Sequence, residues 1–203
     1  MLEINVPQCE EEWFNLRIGM PSASQFSKIV TSKGELSKQA TDYAYTLAGE
    51  RIIGAKVETY QNAAMQRGVE LEAEARQLFE LIEGVEVRQT GIVYPDESKK
   101  YSCSPDGLID DQETGVEIKS PLLHTHVKYL LAGKLPADYV QQVQGSMLIT
   151  GFSAWWFMSY YPGIKPLLIK VERDEKFIGK LKAALDEFCA QVDEIVERLR
   201  EAT

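Results

Sequence analysis

The chain has 203 residues, 44% of them hydrophobic and 26% charged, a balance that excludes a disordered polymer and fits one globular domain over residues 1–203. A net charge of −9 excludes a protein that coats nucleic acid through bulk positive charge, so any contact with phosphates must be local. No apolar run approaches the roughly 18 residues that cross a bilayer, and residues 1–5 lack a basic-then-apolar leader, so a cytoplasmic protein without membrane contact is expected.

In chain order, Trp13, Phe14 and Leu16 predict a short amphipathic helix over 10–18, ended by Gly19-Met20-Pro21. Ser22 and Ser24 stand at the start of a second helical stretch over 24–30, and a longer helix is expected over 37–53. Residues 62–82 carry Val69, Leu71, Ala75, Leu78, Phe79 and Ile82 at helical spacing, with many acids between them and Gly84 as a stop. The period then changes. Short runs at 85–87, 91–94, 101–104, 108–109 and 116–119, separated by turn residues, predict a β-meander. Helices are expected at about 122–131 and 137–150, strands at 154–161 and 167–171, and a terminal helix over 175–200. The fold class that follows is α/β (α+β), a central mixed sheet flanked by helices. Cys9, Cys103 and Cys189 are odd in number and lack CxxC spacing, so buried or idle thiols are expected.

Within the meander, Pro105-Asp106 precedes a Gly-bounded turn and then Glu117-Ile118-Lys119. Side chains alternate along a strand, so Glu117 and Lys119 share one face, expected outward, while Val116 and Ile118 turn to the core. The turn over 110–115 folds the preceding strand back and brings Asp106 across from Glu117. Two close carboxylates repel unless a cation lies between them, and oxygen ligands suit magnesium or manganese. A lysine beside them can orient a water or stabilise charge on a phosphate. Taken alone, Glu117 and Lys119 also suit a solvated hairpin pair, Arg17 a surface arginine, and Ser24 and Ser104 ordinary caps.

The block Cys103-Ser104-Pro105-Asp106-Gly107-Leu108 with Val116-Glu117-Ile118-Lys119 closely resembles the phage lambda exonuclease family of viral recombination nucleases, within the restriction-endonuclease-like superfamily. The likeness continues through Trp13 to Ser24, Gly68 to Glu72, Gln142-Val143-Gln144, Ala154-Trp155 and Glu172 to Lys176. The resemblance implies a restriction-endonuclease-like fold and a 5′ to 3′ exodeoxyribonuclease acting on double-stranded DNA ends by two-metal hydrolysis. It also implies mononucleotide products, a 3′ single-stranded tail, a homotrimeric ring and a single-strand annealing protein as partner.

By the same resemblance, Asp106, Glu117, the Ile118 backbone carbonyl and Glu72 would bind two Mg2+ per site, with Mn2+ as a substitute. Lys119 would serve the nucleophilic water, and Gln142 would reach the centre while Gln144 acts as scaffold. Arg17, Ser24 and Ser104 would hold the terminal 5′ phosphate of the DNA. Glu70 and Glu74 flank Glu72, and without the family match the choice among the three stays open, since helix residues two apart do not share a face. Gly145 beside the Gln142–Gln144 block is an unusual mid-helix residue and suggests close packing.

His124 and His126 could pair on a metal only from a strand, so a surface position is expected for both. Trp155, Trp156 and Phe157 are expected in the core and not as a base-stacking platform. The rival readings are a non-catalytic DNA-end-binding or assembly protein, and an endonuclease or resolvase of the same superfamily.

Overall fold

In the computed structural model, residues 1–57 and 63–202 are described. The chain runs β1 (Leu2–Ile4), α1 (Glu11–Asn15), a 3-10 turn (Ala23–Lys28), α2 (Ala40–Ile53), α3 (Ala63–Glu83), β2 (Ile92–Tyr94), β3 (Gly107–Ile109) and β4 (Thr114–Lys119). It continues through α4 (Leu123–Ala132), α5 (Val140–Thr150), β5 (Ala154–Ser159), β6 (Leu167–Glu172) and α6 (Glu175–Glu201). The expected start of the long helix at 62 lies outside the described residues.

The main sheet has the order β3-β4-β5-β6, with β4 and β5 parallel and the outer pairs antiparallel. Parallel neighbours need a crossover, and α4 and α5 form it between β4 and β5. Strand alternation then sorts the core. Val116, Ile118 and Met158 pack against Ala75 and Phe79 of α3, whereas Trp155 and Phe157 pack against Val143 and Met147 of α5 and Ile178 of α6. A further cluster joins the 3-10 turn, α2 and α6 through Phe26, Leu47, Leu185 and Phe188. The start of α6 is fixed by Asp174, whose Oδ1 accepts from the Phe177 N–H at 3.0 Å, and the Asp174 N–H in turn donates to Gln144 Oε1 at 2.9 Å.

The mixed sheet flanked by helices matches the expected fold class, and four expectations need correction. Residues 85–87 and 101–104 are not ladder strands: they lead into or contribute only the isolated bridges Arg88 to Leu108, Val93 to Cys103 and Ser22 to Ser102. β2 pairs with β1, a strand the sequence reading passed over, so there is no meander. The stretch expected as a helix over 24–30 closes as a 3-10 turn over Ala23–Lys28. His126 is fully buried, because α4 turns that side inward, where Nδ1 meets Ser159 Oγ at 2.8 Å and Nε2 meets the Lys165 carbonyl at 3.1 Å. A carbonyl only accepts, so Nε2 carries the proton toward Lys165. His124 is exposed, as expected. Trp155 and Phe157 are fully buried, as expected, whereas Trp156 is only half-buried, packed edge-on against Phe79.

Gly145 shows what the mid-helix glycine is for. A Cβ at that position would stand 2.5 Å from Cδ2 and 2.7 Å from Cε2 of the buried Phe26 ring, so the approach of α5 to the 3-10 turn requires its absence. No helix among the described residues is long and apolar enough to cross a membrane.

Candidate active site

The β3–β4 hairpin places the acidic residues. Gly107 is paired with Val116, so Asp106, just before the strand, comes across from Glu117. Asp106 Oδ2 accepts from the Ile118 N–H at 2.6 Å. Glu117 and Lys119 do lie on one face, as alternation requires, but that face is not outward: α5 covers it and leaves Glu117 only 2% exposed. Gln142 of α5 reaches down so that its Nε2 donates to Glu117 Oε1 at 2.6 Å, and Lys119 Nζ forms an ion pair with the same oxygen. From α3, Glu72 pairs with Arg76 at 3.0 Å, and Arg76 Nη1 also donates to the Asp106 carbonyl at 3.2 Å. Glu70 is exposed, and Glu74 is engaged by the Tyr160 hydroxyl.

These contacts shift the acid–base properties. Burial pushes the Glu117 carboxyl up to about 7, reinforced by the charge of Asp106 and opposed by Lys119. Burial also raises Asp106, against the pull of Lys119 and the Ile118 N–H. Glu72 is raised by burial and then by Asp106, with Arg76 opposing. Burial alone would lower Lys119, but Glu117 and Asp106 override it and hold the ammonium above its ordinary value. Lys119 is therefore a fixed cation and not a proton acceptor at neutral pH.

Beside this acidic centre lies a cationic pocket. Arg17 Nη2 donates to Ser22 Oγ at 2.7 Å, and its guanidinium lies 3.9 Å from the centre of the Trp13 ring. Trp13 Nε1 in turn donates to Ser104 Oγ at 3.1 Å, which leaves the Ser104 hydroxyl hydrogen for another acceptor. Ser22 and Ser24 hydroxyls are 3.2 Å apart. Ser22 and Trp13, which touch the Arg17 side chain, are neutral, and burial pulls its pKa down while Glu50 acts on it through space, so an anion would relieve a partly desolvated guanidinium.

A cleft of about 150 Å³ joins the two halves: Arg17, Ser24 and Ser104 line it together with Asp106, Glu117, Lys119 and Gln142. All the residues singled out in sequence except Glu72 and the Ile118 carbonyl are on its wall. Glu72 is linked to it through Arg76, which donates both to Glu72 and to the Asp106 carbonyl. The same wall includes Gln8, Trp13 and Ser146, which the sequence reading did not propose for the site. Gln8 Nε2 donates to the carbonyls of Thr90 and Pro105 at 2.9 and 2.8 Å, fixing the residue before Asp106; no local pattern around Gln8 signals this, since its partners are 82 and 97 positions away.

Residues 12–153 match the YqaJ-like viral recombinase domain. The chain belongs to that family. Among solved structures it is similar to the alkaline exonuclease LHK-Exo of Laribacter hongkongensis, at 30% identity and a TM-score of 0.86, covering 95% of this chain and 97% of that one. The complex of LHK-Exo with dAMP matches at 29% identity and a TM-score of 0.85 over the same shares of each chain. A shorter relative is ExoD, an uncharacterised protein of Escherichia coli K12, 31% identical over 78 residues that span 36% of this chain and 90% of that one. Family membership and the alkaline exonuclease match make this protein a nuclease.

In this YqaJ-like cleft the donor set fits a hard divalent cation, because Glu72, Asp106 and Glu117 offer only oxygen and, on top of burial, Asp106 raises the pKa of both glutamates by repulsion. Among the described residues no three His, Cys, Asp or Glu side chains already converge as a metal cage. Arg76 and Lys119 take the places beside Glu72 and Glu117 that such an ion would share.

Proposed function

We propose that this nuclease is a metal-dependent 5′ to 3′ exodeoxyribonuclease that acts on the ends of double-stranded DNA and leaves a 3′ single-stranded tail for recombination by strand annealing. The observation that carries this reading is that Arg17, held by Ser22 and Trp13, lines the same cleft as the Asp106, Glu117 and Lys119 centre. A nuclease that cuts within a strand has no use for a pocket that grips a terminal phosphate. An end-dependent enzyme does.

In this mechanism Arg17 takes the terminal 5′ phosphate in a bidentate fork, with the hydroxyls of Ser24 and Ser104 as added donors. Held there, the end nucleotide sets the next phosphodiester over Asp106 and Glu117. Ile118 N–H aims the Asp106 carboxylate, and Gln142 aims that of Glu117, so neither has to reorganise when the substrate arrives. The Lys119 ammonium donates to the attacking water and to the charge that grows on the phosphoryl oxygens. Magnesium, with manganese as a substitute, would be held two ions per site by Glu72, Asp106, Glu117 and the Ile118 carbonyl, and supplies acidification of the water and neutralisation of the scissile phosphate. The family resemblance extends the proposal to a homotrimeric ring and a single-strand annealing partner.

The test is degradation of linear duplex DNA with magnesium, comparing 5′-phosphorylated ends, 5′-hydroxyl ends and a closed circle, with EDTA and Asp106→Ala as controls. Consumption of phosphorylated linear DNA with circles intact supports the proposal. Cut circles would make it an endonuclease, and end binding without cleavage a non-catalytic assembly protein.

A further inference from the structure

We infer that Arg76 is a positioning residue for the metal site: it holds Glu72 at the cleft when no ion is present and keeps it in reach of the ion that takes it over. This rests on the reading of the cleft as a metal-dependent centre. Three observations carry it. The Arg76 side chain is only 13% exposed, so it is built into the wall and not a surface charge that happens to lie nearby. It joins three separate parts of the chain: Glu72 Oε1 on α3 at 3.0 Å, the backbone carbonyl of Asp106 at 3.2 Å, and the amide of Gln89. With its amide turned so that the oxygen, not the nitrogen, faces the guanidinium, Gln89 accepts from Nη1 at 3.2 Å and from Nη2 at 2.9 Å.

The hydrogen count explains why this is a holding site and not a permanent lock. Nη1 carries two hydrogens and faces three acceptors: Glu72, the Asp106 carbonyl and Gln89. If Glu72 turns one oxygen to a cation, both hydrogens keep a partner, and no buried donor is stranded. Glu72 therefore moves to the ion at little cost, while Arg76 stays anchored to the Asp106 loop through the carbonyl. The two ligand-bearing elements, α3 and the loop before β3, are held at one spacing in both states. Lysine cannot do this, since a single ammonium on a flexible stem lacks the planar fork that spans the three acceptors. An arginine that only competed with the ion for Glu72 would act in the opposite sense, and its removal would tighten metal binding.

That difference of sign gives the experiment. Mn2+ binding to the full-length protein is titrated calorimetrically for the wild type, Arg76→Lys, Arg76→Gln and Gln89→Leu, with thermal melting to confirm folding and kcat and KM on duplex DNA measured across Mn2+ concentrations. Both Arg76 variants are expected to bind Mn2+ about tenfold more weakly, the usual scale for loss of a group that orients a metal ligand. Their kcat should fall at low Mn2+ and recover as Mn2+ is raised, with KM for DNA unchanged, and Gln89→Leu should weaken Mn2+ binding by a smaller factor. Unchanged or tighter Mn2+ binding in folded Arg76 variants overturns the inference while leaving the proposed nuclease intact. If both Arg76 variants fail to fold, Gln89→Leu decides: weaker binding supports the inference and wild-type binding overturns it. A wild type that binds no Mn2+ overturns the metal site and this inference together.

Discussion

The carboxylate of Asp106 accepts a 2.6 Å hydrogen bond from the backbone N–H of Ile118, so an acid on the loop before β3 is tied directly to the central strand that carries Glu117 and Lys119. The antiparallel register of the hairpin makes this possible, with Gly107 beside Val116. The constellation is therefore held by backbone geometry and not by side-chain packing alone. Replacing Asp106 should therefore affect chemistry far more than fold.

Asp106→Ala is expected to reduce cleavage of 5′-phosphorylated duplex by at least about a hundredfold, and Lys119→Ala by about 10²–10³-fold, the range for loss of one preorganised charge-stabilising group. Asp106→Ala should not lower the melting temperature of the metal-free protein by much, because it removes a carboxylate that repels Glu117, whereas Lys119→Ala should lower it at neutral pH, because it strips Glu117 and Asp106 of the cation that offsets them. Steady-state cleavage rates and thermal melts in EDTA check both halves. A large loss of stability in Asp106→Ala would mean that the Ile118 contact is architectural first.

Much of this site was legible in the chain. Alternation along β4 placed Glu117 and Lys119 together, and the turn over 110–115 brought Asp106 across to them, because both follow from local geometry. What the sequence hid was the second layer. Nothing about a period-2 pattern reveals that α5 will cover the charged face, so Glu117 was expected outward and is buried under Gln142 instead. Gln8 is hidden for the same reason, with its partners Thr90 and Pro105 far away in the chain, and so is the tie of Arg76 to Asp106, 30 residues on, although its pairing with Glu72 is local. The isolated bridges at Ser102 and Cys103 show the converse, since the run expected as a strand over 101–104 forms only single pairings.

The metal-free protein should lose stability as the pH rises from about 5 to 7.5. Glu117 is raised in the folded state to about 7, with Glu72 and Asp106 also raised. A carboxyl whose folded pKa exceeds its unfolded value contributes stability that is fully present below the unfolded value and is lost as the pH rises through the folded one. Glu3 and Asp110, lowered by Arg88, act with the opposite sign and only in more acidic solution, as the pH falls through their folded values. For a chain of this size about 1 kcal/mol moves the midpoint by about 2–4 °C. Melting in EDTA across this range checks it: Glu117→Gln should flatten the slope, and saturating Mg2+ should reverse it, because a cation stabilises the ionised carboxylates.

Arg17→Ala should erase the preference for phosphorylated ends. A charge-assisted contact of the kind assigned to it contributes roughly 1.5–3 kcal/mol, so kcat/KM on 5′-phosphorylated duplex should fall about 10- to 100-fold toward the 5′-hydroxyl value. Arg17→Lys should restore little, since the fork and the stacking on Trp13 at 3.9 Å both depend on a planar group. Competition between the two kinds of end in one reaction measures this directly. An unchanged preference would remove Arg17 from the phosphate pocket.

Gly145→Ala tests whether the site depends on how closely α5 approaches the 3-10 turn. In an open helix the change would stabilise by about 1 kcal/mol through propensity. Here the added methyl meets the Phe26 ring at 2.5 Å, and Phe26 is fully buried, so the ring has no space to turn aside. Overpacking of this kind costs about 1–3 kcal/mol and outweighs the propensity gain. The strain has two outlets, both within the site. Moving α5 outward shifts Gln142 and Ser146, and moving the turn shifts Ala23 and Ser24, all of which line the cleft. The expected result is a lower melting temperature together with a loss of cleavage larger than the stability change alone explains at a temperature where the variant is folded. A variant that melts lower yet cleaves at the wild-type rate would mean that the clash is absorbed away from Gln142 and Ser24.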